Sequence, residues 1–150
     1  TVGVFVNESK VKVKSIIKKV KLDMVQFSGN EKPSYAKGFK VPIIKAIHIK
    51  SKNSIKSSKQ FDVEYIMVDS FDKGIFGGTG KKVNKGFVKK SSIGEKQLIF
   101  SGGLKASNVK PIIKEFNPII VDVCSGVETE PGKKSFSKMK SFIKNAAGAL

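Results

Sequence analysis

Short apolar runs alternate along this chain with segments in which apolar residues recur at every third or fourth position. The runs are typical of buried strands, and they cover residues 2–6, 24–27, 41–47, 63–68, 97–100 and 118–123. The periodic segments begin at Val13, Val109 and Phe136 and predict three helices with one apolar face each. Residues 35–39 have a weak helical pattern, whereas residues 50–60 are polar and are predicted to begin with a loop. The pattern therefore predicts six strand–helix units in series.

Apolar strands that alternate with amphipathic helices indicate a parallel α/β sheet covered by helices. A doubly wound open sheet and a (β/α)8 barrel both have this order of elements, and periodicity alone does not separate them. Polar or glycine residues follow five of the predicted strands, at Asn7, Ser28-Gly29, Asp69, Ser101-Gly102-Gly103 and Cys124-Ser125-Gly126. Because the loops after all strands of a barrel face one mouth, this distribution favours the barrel.

Composition adds a strong positive charge to this picture. The 150 residues suit one domain over residues 1–150, and the formal net charge is +17. The sequence contains no Arg and no Trp, and its lysines are dispersed along the whole length. Because base recognition favours Arg and stacking favours aromatic rings, we expect a solvated lysine surface that attracts small anions, with no nucleic-acid partner.

Two further classes of protein are disfavoured by the sequence. Every apolar run is shorter than the roughly 18 residues of a membrane span, so no membrane partner is predicted. Cys124 is the single cysteine and cannot form an intrachain disulfide, which is typical of a reducing compartment such as the cytoplasm. One His and one Cys do not make a metal site, so no metal is predicted.

Two glycine-containing turns are candidates for an anion site. Gly102-Gly103 follows the fifth predicted strand and leaves backbone N–H groups accessible. Cys124-Ser125-Gly126 follows the sixth strand and is placed to open a short helix. Barrels often bind phosphate after their last two strands. The same glycines also suit turns that bind nothing, so the residues alone leave both interpretations open.

Three other features of the sequence bear on its chemistry. Asp69 ends a buried strand, where a carboxyl group has either a structural partner or a catalytic role. The glycine-rich loop at residues 77–81 lacks the spacing of a nucleotide-binding loop because Lys82 stands where Ser or Thr belongs. It is interpreted as a lid or a ligand-contacting loop. His48, the single histidine, lies at a strand end and is expected to be structural.

Several of these stretches occur together, and in the same order, in one known family. They read VGVFVN (2–7), VQFSGNE (25–31), GGTGK (77–81), SGGL (101–104) and VDVCSGVE (121–128). On these motifs the chain resembles the phosphoribosylanthranilate isomerase family of tryptophan biosynthesis over essentially its whole length. The last stretch is the most specific, because Gly-Gly turns are shared by many phosphate-binding barrels.

The resemblance implies a (β/α)8 TIM barrel of the phosphate-binding type, with a sugar phosphate as its small-molecule partner and no cofactor. The implied reaction is the Amadori rearrangement of N-(5-phosphoribosyl)anthranilate to 1-(2-carboxyphenylamino)-1-deoxyribulose 5-phosphate, with Asp69 as the general acid. Phosphate and substrate contacts map to Gly102, Gly103, Asp122, Cys124, Ser125 and Gly126. Ser28, Gly78 and Glu128 are further candidates for substrate contact. A monomer or homodimer is expected.

The chain also departs from the family. The family's general base is a Cys in a Lys-x-Cys-Gly motif on strand 1, and an Arg after strand 2 binds the anthranilate carboxylate; the sequence has neither. Family order places residues 2–6 at strand 3, so we expect the chain to hold strands 3–8 with exposed edges. Cys124 aligns with a phosphate contact and is not expected to replace the base. The alternative function is therefore that of a non-catalytic phosphate-binding barrel fragment.

Overall fold

The computed structural model of the protein describes residues 1–70, 83–88 and 93–149. Within them the strands of the main sheet are β1 (Val2–Phe5), β2 (Met24–Phe27), β3 (Ile43–Ile49), β4 (Tyr65–Ser70), β5 (Gln97–Phe100) and β6 (Ile120–Val121). A separate antiparallel pair consists of β7 (Glu128–Glu130) and β8 (Lys133–Lys134). The α-helices are α1 (Lys10–Val20), α2 (Lys52–Lys56), α3 (Ala106–Phe116) and α4 (Phe136–Ala147). Four short 3-10 helices cover Pro33–Ala36, Ser57–Gln60, Lys85–Phe87 and Ser125–Val127.

The order of the strands separates the two architectures that the sequence left open. All neighbouring strands are parallel, and they lie in chain order from β1 to β6. A doubly wound sheet reverses its order at a switch point, whereas a barrel adds each strand beside the previous one. The described sheet therefore has the topology of a barrel, and its six strands form an open part of one.

The two faces of the sheet pack in different ways. The face covered by the helices carries the main core, which includes Phe27, Val68 and Phe100 from the strands and Val13 and Val109 from α1 and α3. The opposite face carries a smaller apolar cluster of Ile44, Ala46, Met67 and Ile99. Because side chains alternate along each strand, polar residues two positions beyond this cluster point to the same inner face at the carboxyl ends of the strands.

Local signals explain where the longer helices begin and end. The side chain of Ser9 accepts a hydrogen bond from the N–H of Lys12 at the start of α1, and Ser135 does the same for Lys138 at the start of α4. Helices α1 and α3 are followed by the capping residues Lys21 and Asn117, both of which adopt the left-handed conformation. All the helices predicted from apolar periodicity are therefore present.

Residues 50–60 begin with a short loop, as predicted, because Lys50 and Ser51 precede the first helical residue. The rest of this polar segment forms α2 and a 3-10 helix, which the sequence pattern did not predict. Among the side chains of this segment that the structure describes, only Ile55 and Ser58 are fully buried, so the segment has no apolar periodicity to detect. Ser51 and Ser54 form a capping box that starts the helix.

Other differences are smaller. The connection between β2 and β3 contains the 3-10 helix Pro33–Ala36 where a weak helix was predicted at residues 35–39. Strand β3 begins and ends two residues later than predicted, and β6 is only two residues long. The β7–β8 hairpin was not predicted, because its exposed residues lack an apolar pattern.

Both outer strands of the six-stranded sheet leave apolar side chains exposed. Val2 and Val4 of β1 are 46% and 60% exposed, and Ile120 of β6 is 43% exposed. Phe136 at the start of α4 is 76% exposed. The expectation of exposed edges is met in the described residues.

No helix in the same residues has the length and hydropathy to cross a membrane.

Candidate active site

Four polar side chains share the inner face at the carboxyl ends of neighbouring strands. His48 of β3 lies beside Asp69 of β4 in the parallel register. Ser101 follows β5 and Asp122 follows β6, and the Ser101 hydroxyl donates a hydrogen bond of 3.0 Å to Asp122 Oδ2. These residues form a continuous polar rim around one end of the sheet, where loops of a barrel place its active site.

Asp69 is the buried carboxyl group of this rim. Its side chain is 9% exposed, and its Oδ1 accepts a hydrogen bond of 2.7 Å from the backbone N–H of Ser70. Burial raises the pKa of Asp69, and the negative charge of Asp122 adds to the rise. The Ser70 N–H and the charge of His48 oppose the shift without cancelling it. A carboxyl group with a raised pKa keeps its proton closer to neutral pH and can act as a general acid.

The first glycine turn lies directly against Asp69. Gly102 and Gly103 have φ angles of +84° and +69°, which favour glycine. A Cβ at Gly102 would come 2.7 Å from the backbone nitrogen of Ser70 and 3.1 Å from Asp69 Oδ1. The Asn108 side chain fixes the turn by donating a 3.0 Å hydrogen bond to the Gly103 carbonyl. The turn therefore has a defined shape that only glycine permits.

The second glycine turn packs on the first. Ser125–Val127 form the short helix that the sequence predicted after Cys124. A Cβ at Gly126 would lie only 1.8 Å from the carbonyl oxygen of Leu104, so no side chain fits there. The turns after β5 and β6 are thus in direct backbone contact, which brings Gly102, Gly103, Asp122, Cys124, Ser125 and Gly126 into one region.

Glu128 and Cys124 belong to an exposed cluster beside this region. Lys134 Nζ lies 2.5 Å from Glu128 Oε1 and 3.2 Å from Cys124 Sγ. The hydrogen bond from Lys134 lowers the pKa of Glu128. The hairpin β7–β8 brings Lys134 to Glu128, so this cluster contains an ion pair next to the second glycine turn.

Ser28 and Gly78 were the remaining predicted contacts. Ser28 is buried at the end of β2, and its hydroxyl accepts a hydrogen bond of 2.9 Å from the Gln26 side chain. Gly78 and the rest of the loop at residues 77–81 lie outside the described residues. The described part of the chain contains no group of three or more His, Cys, Asp and Glu residues that could hold a metal ion.

A buried ion pair that was not predicted from the sequence lies near the first loops of the rim. Lys45 of β3 donates from Nζ to Glu31 Oε2 and to the Gly29 carbonyl, each at 2.7 Å. Glu31 Oε1 accepts hydrogen bonds from the N–H groups of Asn7 and Gly29 at 2.8 and 3.2 Å. Lys45 was a visible signal, because it is the one charged residue inside the apolar run at residues 41–47.

The described site can be compared with known proteins. The chain matches the family "PRAI: N-(5'phosphoribosyl)anthranilate (PRA) isomerase" over residues 1–145. The chain belongs to the phosphoribosylanthranilate isomerase family. The isomerase of Caldanaerobacter subterraneus subsp. tengcongensis is 44% identical over 150 residues, covering 99% of this chain and 73% of the relative. That of Clostridium acetobutylicum is 42% identical over 146 residues, covering 95% and 70%.

Solved structures of phosphoribosylanthranilate isomerases have the same fold. The Thermotoga maritima enzyme superimposes with a TM-score of 0.83 at 31% identity, covering 98% of this chain and 72% of that one. A family member in complex with reduced 1-(o-carboxyphenylamino)-1-deoxyribulose 5-phosphate has a TM-score of 0.77 at 32% identity, covering 98% and 71%. The Thermus thermophilus protein, at 23% identity, covers 99% and 72% with a TM-score of 0.84, which supports the fold alone. The fold is of the TIM-barrel type, as predicted.

Proposed function

We propose that this protein rearranges N-(5-phosphoribosyl)anthranilate to 1-(2-carboxyphenylamino)-1-deoxyribulose 5-phosphate, the isomerase step of tryptophan biosynthesis. The observation that carries the proposal is the buried carboxyl group of Asp69 beside the Gly102 turn. The pair supplies a proton donor and an anion-binding turn at one end of the sheet. The family match over residues 1–145 supports the same reaction.

Asp69 is the general acid in this proposal. As the bond between C1 and the ribose ring oxygen breaks, Asp69 gives its proton to that oxygen, and the anthranilate nitrogen lone pair forms the C=N bond of an iminium ion. Removal of the C2 proton by a base then gives an enamine with an enolic hydroxyl at C2, which tautomerises to the ketone product. The raised pKa of Asp69 supports the first step, because the group remains a proton donor closer to neutral pH.

The two glycine turns are the proposed phosphate site. The backbone N–H groups of Gly102, Gly103, Cys124, Ser125 and Gly126 are the candidate donors, because glycine leaves the backbone accessible to an anion. Asp122 lies beside them and is held by Ser101, so its role is to shape the turn region. The contact between Gly126 and Leu104 supports a single site formed by both turns.

Ser28, Glu128 and Gly78 are proposed as further substrate contacts. Ser28 follows β2 on the side of the rim opposite Asp122, and Glu128 lies beside Cys124 in the exposed cluster. The positive charge of the sequence comes from its 29 lysines, and their field would draw an anionic sugar phosphate toward the rim.

We assign the six strands to strands 3–8 of an eight-stranded barrel, formed by one domain over residues 1–150. Three observations support this assignment. The strands lie in chain order, the chain spans about 70–73% of the relatives described above, and both outer strands expose apolar side chains. The family's general base and carboxylate-binding Arg belong to strands 1 and 2 in this assignment.

A non-catalytic phosphate-binding fragment is the second candidate, for these 150 residues by themselves. The observation that favours it is the absence of the Lys-x-Cys-Gly motif from the sequence. Turnover and binding distinguish the two. The full-length protein should convert phosphoribosylanthranilate, whereas the 150-residue chain should bind the reduced product analogue without turnover. Full-length protein that binds the analogue but shows no turnover would contradict the isomerase assignment.

The proposal also covers the oligomeric state and the cellular compartment of the protein. A monomer or homodimer is proposed, and one solved relative, from Thermotoga maritima, is described as dimeric. The cytoplasm is the proposed compartment, because the sequence contains a single cysteine. Analytical ultracentrifugation of the full-length protein tests the first proposal.

A further inference from the structure

His48 lies between two backbone carbonyl groups on the inner face of the sheet. Its Nε2 is 2.8 Å from the carbonyl oxygen of Ser28, and its Nδ1 is 3.4 Å from the carbonyl oxygen of Ser70. Ser28 follows β2 and Ser70 ends β4, so the ring of His48 links the strands on either side of β3. The same Ser70 donates its N–H to Asp69.

The chemistry of these contacts limits where the ring protons can be. A carbonyl oxygen only accepts hydrogen bonds, so the short contact to Ser28 requires a proton on Nε2. A neutral imidazole then has a lone pair on Nδ1. This lone pair faces the Ser70 oxygen and cannot form a hydrogen bond with it. Only the imidazolium ion donates to both oxygens, and the neighbouring carboxyl group of Asp69 attracts its charge.

Few other charges face Asp69 in the described residues. The titratable group on β3 is His48. The titratable group after β6 is Asp122, which accepts a hydrogen bond from Ser101, the residue that follows β5. On β2 the rim carries the uncharged Gln26 and Ser28. The ion pair of Lys45 and Glu31 belongs to the helix-covered side, because Lys45 alternates with Ile44 and Ala46. His48 is therefore the basic side chain of the described inner face that lies beside Asp69 in the strand register.

We propose that His48 is a positioning residue for Asp69: its ring bridges the Ser28 and Ser70 carbonyls and, when both ring nitrogens carry a proton, places a positive charge beside the Asp69 carboxyl group. The inference deepens the proposed function and rests on it only for the kinetic prediction. The electrostatic prediction concerns Asp69 alone and can be tested without turnover.

Two variants of His48 separate its charge from its hydrogen bonds. His48→Gln keeps an N–H donor but is never charged, whereas His48→Arg keeps a permanent positive charge. The ¹³C carboxyl signal of Asp69, assigned with Asp69→Asn, is titrated in each full-length protein. Loss of the positive charge should move the Asp69 titration to higher pH in the Gln variant. The Arg variant should titrate at or below the wild-type midpoint.

The kinetic readout should follow the titration. The decline of kcat/KM at high pH reports loss of the Asp69 proton, so this limb should move to higher pH in His48→Gln and not in His48→Arg. Lys114→Gln, which removes one exposed positive charge from α3, is the matched control and should leave both measurements unchanged. Equal shifts in both His48 variants, or no shift in His48→Gln, would overturn the proposal.

A measurement on the wild-type protein avoids dependence on variant folding. The ¹⁵N chemical shifts of His48 should show a proton on Nε2 when the ring is neutral, because the Ser28 carbonyl can only accept a hydrogen bond. A neutral ring that is protonated on Nδ1 would contradict the proposed bridge. If the full-length protein lacks isomerase activity while the two NMR results are as expected, the proposed function fails and the role of His48 stands.

Discussion

The ammonium group of Lys45 lies 2.7 Å from Glu31 Oε2, and both side chains are almost completely buried. Lys45 also donates to the carbonyls of Phe27 and Gly29, and Glu31 accepts from the backbone of Asn7. These contacts join the loops after β1 and β2 to the middle of β3. The pair thus supports the part of the rim that contains Ser28.

Removal of one member of this pair should strongly destabilise the protein. Lys45→Met leaves the Glu31 carboxylate buried without its cation, and the expected loss is about 3–5 kcal/mol in the free energy of unfolding. Urea denaturation measures it. The exposed pair of Lys85 and Glu115 provides the control, because Lys85→Met should change stability by less than about 1 kcal/mol.

The double variant Lys45→Met/Glu31→Gln completes this test. It removes both charges, so it should recover part of the stability that Lys45→Met alone loses. The single variant Glu31→Gln completes the cycle. If the double variant loses as much stability as the two single variants lose in sum, the two side chains are not coupled, against our interpretation.

Asp69→Asn should abolish most of the turnover of the full-length protein. Asparagine cannot deliver a proton to the ring oxygen, and general acid catalysis typically contributes about 10²–10⁴-fold to the rate. Binding of the reduced product analogue should change little, because the glycine turns remain. Steady-state kinetics and calorimetry measure the two effects. Wild-type turnover in this variant would remove Asp69 from the proposed role.

The same substitution should stabilise the fold above the acidic range. The pKa of Asp69 is raised in the folded protein, so the folded state binds this proton more tightly than the unfolded chain does. Stability is therefore lost as pH rises from the ordinary carboxyl range through the raised value. Asp69→Asn cannot ionise, so its advantage over the wild type should grow with pH across that window.

Thermal unfolding from pH 3 to pH 8 tests this sign, with the exposed Asp62→Asn as the matched control. A variant whose stability relative to the wild type is the same at all these pH values would contradict the raised pKa. If Asp69→Asn is more stable than the wild type and also loses turnover, the Asp69 carboxyl group is one that serves activity and lowers stability.

Gly126→Ala should disrupt the contact between the two glycine turns. The new methyl group would meet the Leu104 carbonyl at 1.8 Å, so the turns must separate. We expect at least a tenfold weaker affinity for the reduced product analogue, equivalent to about 1.4 kcal/mol. Gly86→Ala is the control, since the nearest atom to its Cβ is 3.4 Å away. Unchanged affinity in Gly126→Ala would argue against a site formed by both turns.

Apolar patterns predicted most of the fold because burial determines most of its elements. Strands β2 and β5 begin and end where their apolar runs do, and the helix faces that begin at Val13 and Val109 pack in the main core. Helix α2 was missed because Ile55 alone anchors it in the core as a large apolar residue. Its start depends on hydroxyl capping by Ser51, which leaves no periodic signal.

The positions of the site residues could be predicted from the sequence, whereas their contacts with one another could not. Asp69 and the two glycine turns could be located from their positions after apolar runs, and the structure brings Asp69 and Gly102 together. The relation of His48 to Asp69 depends on strand order and register, which a single sequence does not reveal. For the same reason the partner of Lys45 could not be identified, because Glu31 lies in a loop after the neighbouring strand.

The rim residues come from consecutive strands, and this arrangement links ligand binding to the opening of the sheet. Detachment of β6 would remove Asp122 and the second glycine turn, and detachment of β4 would remove Asp69. A bound sugar phosphate would therefore penalise every such partial opening by the same binding free energy. Amide hydrogens of β4, β5 and β6 should therefore gain equal protection from exchange when the ligand binds. The gain should extend to strand residues that do not contact the ligand.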